Sequence, residues 1–179
     1  VSTELLKHKL DRAFGHLDVD GDGRAVRDDM LGLGARILVG FGESPTSPAG
    51  NRLVGGLEAI WVTLSAAAGG DGVISPEGFR TGMISAFVEG DRFDPVFRPA
   101  AEAVARLCDA DGDGSVRPAG LRIALTAFGT AHDDVDVAFD RLDRDRDGVI
   151  AVGELVEAVR QYYTSADPNA AGNWLFGPL

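Results

Sequence analysis

Four times along this chain an Asp-Gly pair is followed, two residues after the glycine, by an apolar residue, and each copy lies between helical stripes. The copies are Asp22-Gly23-Arg24-Ala25, Asp71-Gly72-Val73-Ile74, Asp113-Gly114-Ser115-Val116 and Asp147-Gly148-Val149-Ile150. Successive Asp-Gly pairs are 49, 42 and 34 residues apart. Such unequal spacing argues against a solenoid, whose repeats stack at one period. It fits two paired helix–loop–helix units joined by linkers of different length.

The flanking segments carry apolar residues at three- and four-residue spacing, the mark of an amphipathic helix. Glu4 to Leu17 presents Leu6, Leu10, Phe14 and Leu17, and Asp28 to Phe41 presents Met30, Leu33, Ile37 and Phe41. A Pro/Gly/Ser-rich linker, Gly42 to Gly50, breaks this run before Leu53 to Ala67. Ser75-Pro76-Glu77 reads as a helix start, with Ser as cap and Pro at the first position. Gly90 to Pro99 reads as the link between halves. Ala100 to Cys108, Pro118 to Phe128, Asp133 to Leu142 and Val152 to Tyr163 complete eight helices, with Thr130 expected to cap the seventh. The fold class is therefore all-α and compact, with four hands in two pairs. The only strands are short antiparallel bridges, Ala25 with Ile74 and Val116 with Ile150. The expected divisions are 1–89, 90–166 and an apolar tail, 167–179. Trp174, Leu175 and Phe176 should fold back onto the body, because large apolar groups are costly to leave in water.

The loops carry the chemistry. Calcium takes six to eight oxygens at about 2.3–2.6 Å, and a twelve-residue loop supplies them from side chains at positions 1, 3 and 5, a carbonyl at 7 and a bidentate carboxylate at 12. Glycine at position 6 allows the sharp turn. The fourth loop meets each demand with Asp143, Asp145, Asp147, the Val149 carbonyl and Glu154. The first offers Asp18, Asp20, Asp22, the Arg24 carbonyl and Asp29. Aspartate at the closing position is one methylene short, which draws the site in and shifts it toward magnesium, whose oxygens stand at about 2.0–2.1 Å. The third has Asp109, Asp111, Asp113 and the Ser115 carbonyl, but Gly120 closes it without a side chain and Arg117 adds a positive charge nearby. It should be the weakest of the three, and Gly120→Glu should strengthen it. In the second loop Ala67, Gly69 and Gly78 replace the ligands at positions 1, 3 and 12, so it is expected to serve only as structural partner to the first.

These loops carry the EF-hand motif. Four hands with a defective second one resemble the sarcoplasmic calcium-binding protein family, and the Asp29 ending resembles its prokaryotic, calerythrin-like branch. The resemblance runs from Leu5 to Tyr163. It implies two packed EF-hand pairs and a calcium-buffering or signal-modulating role, and the loops themselves are expected to hold two to three calcium ions.

Composition narrows the function further. A formal net charge of -11 favours cations and disfavours nucleic acid and anionic membrane surfaces. The lone Cys108 forms no intramolecular disulfide and reads as a small buried apolar residue. No apolar stretch reaches the roughly 18 residues of a membrane span. The N-terminus lacks the basic and apolar regions of a secretory signal. A cytoplasmic, monomeric protein is expected. Gly32-Leu33-Gly34 lies in a helical stripe rather than after a strand, so it is no dinucleotide loop. His8, His16 and His132 have no zinc spacing, and the loop carboxylates are better ligands than acids or bases. An enzyme is not expected. A buffer is favoured over a sensor, because Met30 and Met83 are too few for a methionine-rich partner groove. A photoprotein, with its cavity of several Trp, Tyr and His residues, is disfavoured.

Overall fold

A computed structural model describes residues 2–179. Eight α-helices carry the chain: α1 (Ser2–Leu17), α2 (Arg27–Phe41), α3 (Pro48–Ala67), α4 (Pro76–Met83), α5 (Arg98–Cys108), α6 (Pro118–Ala127), α7 (His132–Leu142) and α8 (Val152–Thr164). Four two-residue strands sit in the loops: β1 (Ala25–Val26), β2 (Val73–Ile74), β3 (Ser115–Val116) and β4 (Ile150–Ala151). β1 pairs antiparallel with β2, matching Ala25 with Ile74, and β3 pairs with β4, matching Val116 with Ile150. Both registers are the expected ones. The paired apolar residues are buried in the core, so each pairing is locked by burial as well as by hydrogen bonds.

The boundaries differ in instructive places. α3 starts at Pro48, five residues before Leu53, inside the expected linker. The Ser47 hydroxyl accepts a hydrogen bond from Gly50 N at 2.9 Å, and Pro48 takes the first position. This is the same Ser-Pro start as at Ser75-Pro76, hidden by the surrounding glycine and proline. α4 runs on through a π-helical turn, Ile84–Val88, and a second such turn, Phe93–Phe97, feeds α5. The expected link thus contains ordered structure, pinned by buried Phe93 and Phe97, whose rings stack at 5.1 Å. Thr130 does not cap α7: the cap position is Ala131, and Thr130 Oγ1 is buried without a partner.

The buried apolar side chains of all eight helices form one continuous core. α3 packs on α5, α2 on α6 and α1 on α8, so the N-terminal and C-terminal hands share an interior. Cys108 lies in it, and burial pushes its thiol up to about 12, as befits a packing residue.

The tail does fold back. Ala171–Trp174 forms a 3-10 turn, Leu175 and Phe176 are buried, and the Arg141 guanidinium lies 4.5 Å from the Trp174 ring centre. Burying two such side chains contributes about 1.5–3 kcal/mol each. Polar contacts fix the direction. Arg12 donates to the carbonyls of Phe176, Gly177 and Pro178. Lys9, fully buried, gives all three of its N–H groups: to Gln161 O at 3.0 Å, Ser165 O at 2.7 Å and Asn173 Oδ1 at 2.8 Å. Burial lowers its pKa to about 8, against the pull of the Asp167 carboxylate.

Lys9 therefore ties α1 to the end of α8 and to the tail. Lys9→Met keeps the volume but strands buried acceptors, and should lower unfolding free energy by about 3 kcal/mol. Urea denaturation measures this; a loss below the scatter of surface substitutions would mean that the clamp is dispensable.

Candidate metal centre

Each Asp-rich loop follows a helix that ends just before, or at, its first aspartate. α1 ends at Leu17, α5 at Cys108 and α7 at Leu142, and Asp18, Asp109 and Asp143 come next. The chain then winds back so that its own N–H groups point at that first carboxylate. Gly23 N donates to Asp18 Oδ2 at 3.0 Å, Gly114 N to Asp109 Oδ2 at 2.9 Å, and Gly148 N to Asp143 Oδ2 at 3.0 Å. These glycines sit at φ of 77°, 87° and 86°, a left-handed conformation that side chains rarely adopt. The fifth positions are fixed the same way: Arg24 N donates to Asp22 Oδ1 at 2.8 Å, Ser115 N to Asp113 Oδ1 at 2.8 Å and Val149 N to Asp147 Oδ1 at 3.0 Å.

The outcome is three carboxylate clusters. Asp18, Asp20 and Asp22, then Asp109, Asp111 and Asp113, then Asp143, Asp145 and Asp147 each bring one oxygen per residue within 4.8 Å of the others. Backbone hydrogen bonds hold these like charges together. The first loop adds a sharper sign. Asp18 Oδ1 is buried and has no hydrogen-bond partner. A buried charged oxygen without a donor is unfavourable unless a cation completes it. The residues present therefore fit a hard, oxygen-seeking divalent ion.

The closing carboxylates lie outside these triads. Val26 N donates to Asp29 Oδ2 at 2.8 Å, and Ala151 N to Glu154 Oε2 at 3.1 Å. Each caps the first turn of its own helix, α2 or α8, with one oxygen and keeps the other. Arg146 is the one non-glycine residue with positive φ among the described residues, at 58°. It holds the fourth position of its loop, where the other three loops have Gly21, Gly70 and Gly112.

The third loop departs from what its sequence suggests. Arg117 does more than lie nearby. Its guanidinium reaches Asp111 Oδ1 at 3.2 Å and Asp113 Oδ2 at 2.8 Å, bridging two of the three carboxylates. This hydrogen bond holds the Asp113 carboxyl below the usual carboxylate range and raises Arg117 in turn. Gly120 is not a gap awaiting a carboxylate either. A Cβ there would stand 2.2 Å from the Cys108 carbonyl oxygen and 2.9 Å from its carbon. α6 lies against the end of α5 at this point, and a side chain would force them apart. The expectation that Gly120→Glu strengthens this loop is therefore corrected.

The second loop is as bare as expected. Asp71 receives the Val73 N–H at 3.1 Å, Ser75 caps α4, and no acidic cluster forms there among the described residues. Sequence reasoning missed the bridging role of Arg117, since a position nine residues into a loop does not say which way a long side chain turns.

No family model matches the chain. Calerythrin of Saccharopolyspora erythraea is 26% identical over 167 residues, spanning 91% of this chain and 94% of that protein. A Streptomyces coelicolor calcium-binding protein, associated with prokaryotic calcium-mediated regulation, superposes with a TM-score of 0.76. It shares 36% identity, over 89% of this chain and 98% of its own. The photoprotein clytin has the same fold, with a TM-score of 0.79 over 97% of this chain and 93% of its own, at 21% identity. In sequence, loop pairing and fold this chain belongs to the EF-hand proteins of the calerythrin-like kind.

Proposed function

We propose that this chain binds two calcium ions, one in the first loop and one in the fourth, and acts as a calcium buffer. Calcium binding is what its EF-hand relatives do, and the converging aspartate triads provide for it. The observation that carries the assignment is the set of converging aspartates held by backbone N–H groups, with Asp18 Oδ1 left unsatisfied. The ligands are Asp18, Asp20, Asp22, the Arg24 carbonyl and Asp29 in one site. In the other they are Asp143, Asp145, Asp147, the Val149 carbonyl and Glu154. The shorter Asp29 makes the first site the one open to magnesium. Asp109, Asp111, Asp113 and the Ser115 carbonyl form a third, weaker site, in which an ion must displace Arg117.

Support for buffering comes from how closed the body is. Met30 and Met83 are both buried, and the tail is tied down by Lys9 and Arg12. The large apolar side chains that are exposed, such as Val39 and Val62, lie outside the packed core. A sensor reading is favoured by one fact, the regulatory association of the Streptomyces coelicolor protein.

Calorimetric titration should count two tight ions, and Glu154→Gln should reduce the count to one by removing the closing charge. Two tight ions in the variant would misplace the fourth site. Arg117→Gln should tighten a third, weak event by about tenfold, the scale of one neighbouring like charge at partly screened distance. An unaltered weak event would show that the guanidinium does not compete. On a phenyl matrix, the protein should flow through equally with calcium and with chelator; calcium-dependent retention would turn the reading to a sensor.

A further inference from the structure

Arg36, half-buried on α2, pairs with no carboxylate among the described residues. Its guanidinium serves two backbone carbonyls instead: Nη2 donates to His16 O at 2.9 Å and Nε to Ala127 O at 3.1 Å. Both acceptors stand at helix ends. His16 is the penultimate residue of α1, and Ala127 is the last of α6. A carbonyl in the last turn of a helix has no intrahelical N–H to receive, so it needs a partner from elsewhere. One side chain of α2 thus caps the C-terminal ends of two other helices, one in each half of the molecule.

The junction around it is close. The His16 ring meets the Phe128 ring edge-on at 5.4 Å. A Cβ on Gly40, one turn beyond Arg36, would stand 3.0 Å from Ile123 Cγ2 on α6. A Cβ on Gly32, one turn before it, would stand 3.9 Å from Arg36 Nη1, so the guanidinium lies back along α2 toward the end that carries Asp29. The first loop begins at this junction. Asp18 comes two residues after His16, and its buried Oδ1 has no hydrogen-bond partner. Where that carboxylate stands relative to Asp20 and Asp22 depends on where the last turn of α1 is held. Gly23 N fixes Asp18 Oδ2 from within the loop, and Arg36 fixes the turn behind it.

We propose that Arg36 is a positioning residue for the first metal site: by bracing the last turn of α1 against the end of α6, it places Asp18 where an ion completes it. The inference rests on the reading of the first loop as a metal site. Charge and position pull in opposite directions here, which makes the role separable. A guanidinium beside the loop repels a cation, so an effect through charge alone would make its removal favour the ion. An effect through position makes its removal disfavour the ion despite the lost repulsion. A packing role alone would weaken the first and fourth loops alike, through the core they share.

Calcium titration of the full chain, labelled with ¹⁵N, separates these cases. Gly23 N donates to Asp18 and Gly148 N to Asp143, so their two amide resonances report the first and fourth loops one by one. In chelator-buffered calcium, Arg36→Met should weaken the first loop about tenfold, the worth of one hydrogen bond, and leave the fourth within about twofold. Arg36→Lys keeps the charge but loses the fork that reaches both carbonyls, so it should weaken the first loop in the same direction. That variant carries the test if Arg36→Met folds poorly. A tighter first loop in Arg36→Met, equal weakening of both loops, or an unchanged first loop would each overturn the inference and leave the metal site standing. A wild-type Gly23 resonance that ignores calcium would overturn the metal reading of the first loop, and this inference with it.

Discussion

Each Asp-rich loop keeps its shape because it is paired with another loop across a two-residue antiparallel bridge, and the rest of the architecture follows from that constraint. A lone acidic turn would splay, since its carboxylates repel one another and its backbone would be solvated. Pairing pulls Ala25 against Ile74 and Val116 against Ile150, and their burial anchors each bridge in the core. This accounts for an ordered second loop that carries Ala67, Gly69 and Gly78 where the other loops have acidic residues or, at position 12 of the third, Gly120. Gly72 still makes the turn and Ile74 still fills the core, so the loop remains the other half of a structure that the first loop requires.

The same logic of shared burial joins the two pairs. The amphipathic faces of α2, α3 and α5 are not exhausted by partners in their own hands, and they meet across the middle of the molecule. The tail completes this arrangement. Leu175 and Phe176 close the remaining apolar surface, while Lys9 and Arg12 use up the carbonyls that a non-helical segment leaves open. Apolar burial draws the tail in without preference for direction, and the directional hydrogen bonds select one docking.

Much of this was legible in the amino-acid order because it depends on local period and position. The eighth loop residue announces its own pairing, and Leu6, Leu10, Phe14 and Leu17 announce a helix face. What escaped depends on how distant segments meet. Lys9 reads as a solvated charge until the end of α8 and Asn173 arrive beside it. Thr130 looks like a helix cap, yet the chain enters α7 one residue later and leaves its hydroxyl unused. The start of α3 was hidden by composition, since the glycines and prolines near Ser47 suggest a loop while one Ser-Pro step begins a helix. The bridge that Arg36 makes between the ends of α1 and α6 is a three-dimensional fact with no local signature.

The three Asp triads differ most in what balances their charge. All three borrow the same backbone N–H donors, which offset part of the repulsion but bring no net charge. In the third loop the protein supplies the balance through ion pairs: Arg117 spans Asp111 and Asp113, and Gly120 lets α6 settle against the Cys108 carbonyl. That loop's triad has its counter-charge from the protein itself. In the first loop no such cation reaches the triad among the described residues, and Asp18 keeps an oxygen that none of their donors serves. The fourth carries Arg146 in a left-handed conformation, which directs the chain rather than bridging its aspartates. On the proposed assignment a divalent ion would gain most where the protein has supplied least, so the arginine that folds back and the carboxylates Asp29 and Glu154 would set the order of preference among near-identical Asp-x-Asp-x-Asp sequences. Counting aspartates alone ranks the three loops as equals; following each charge to its partner separates them.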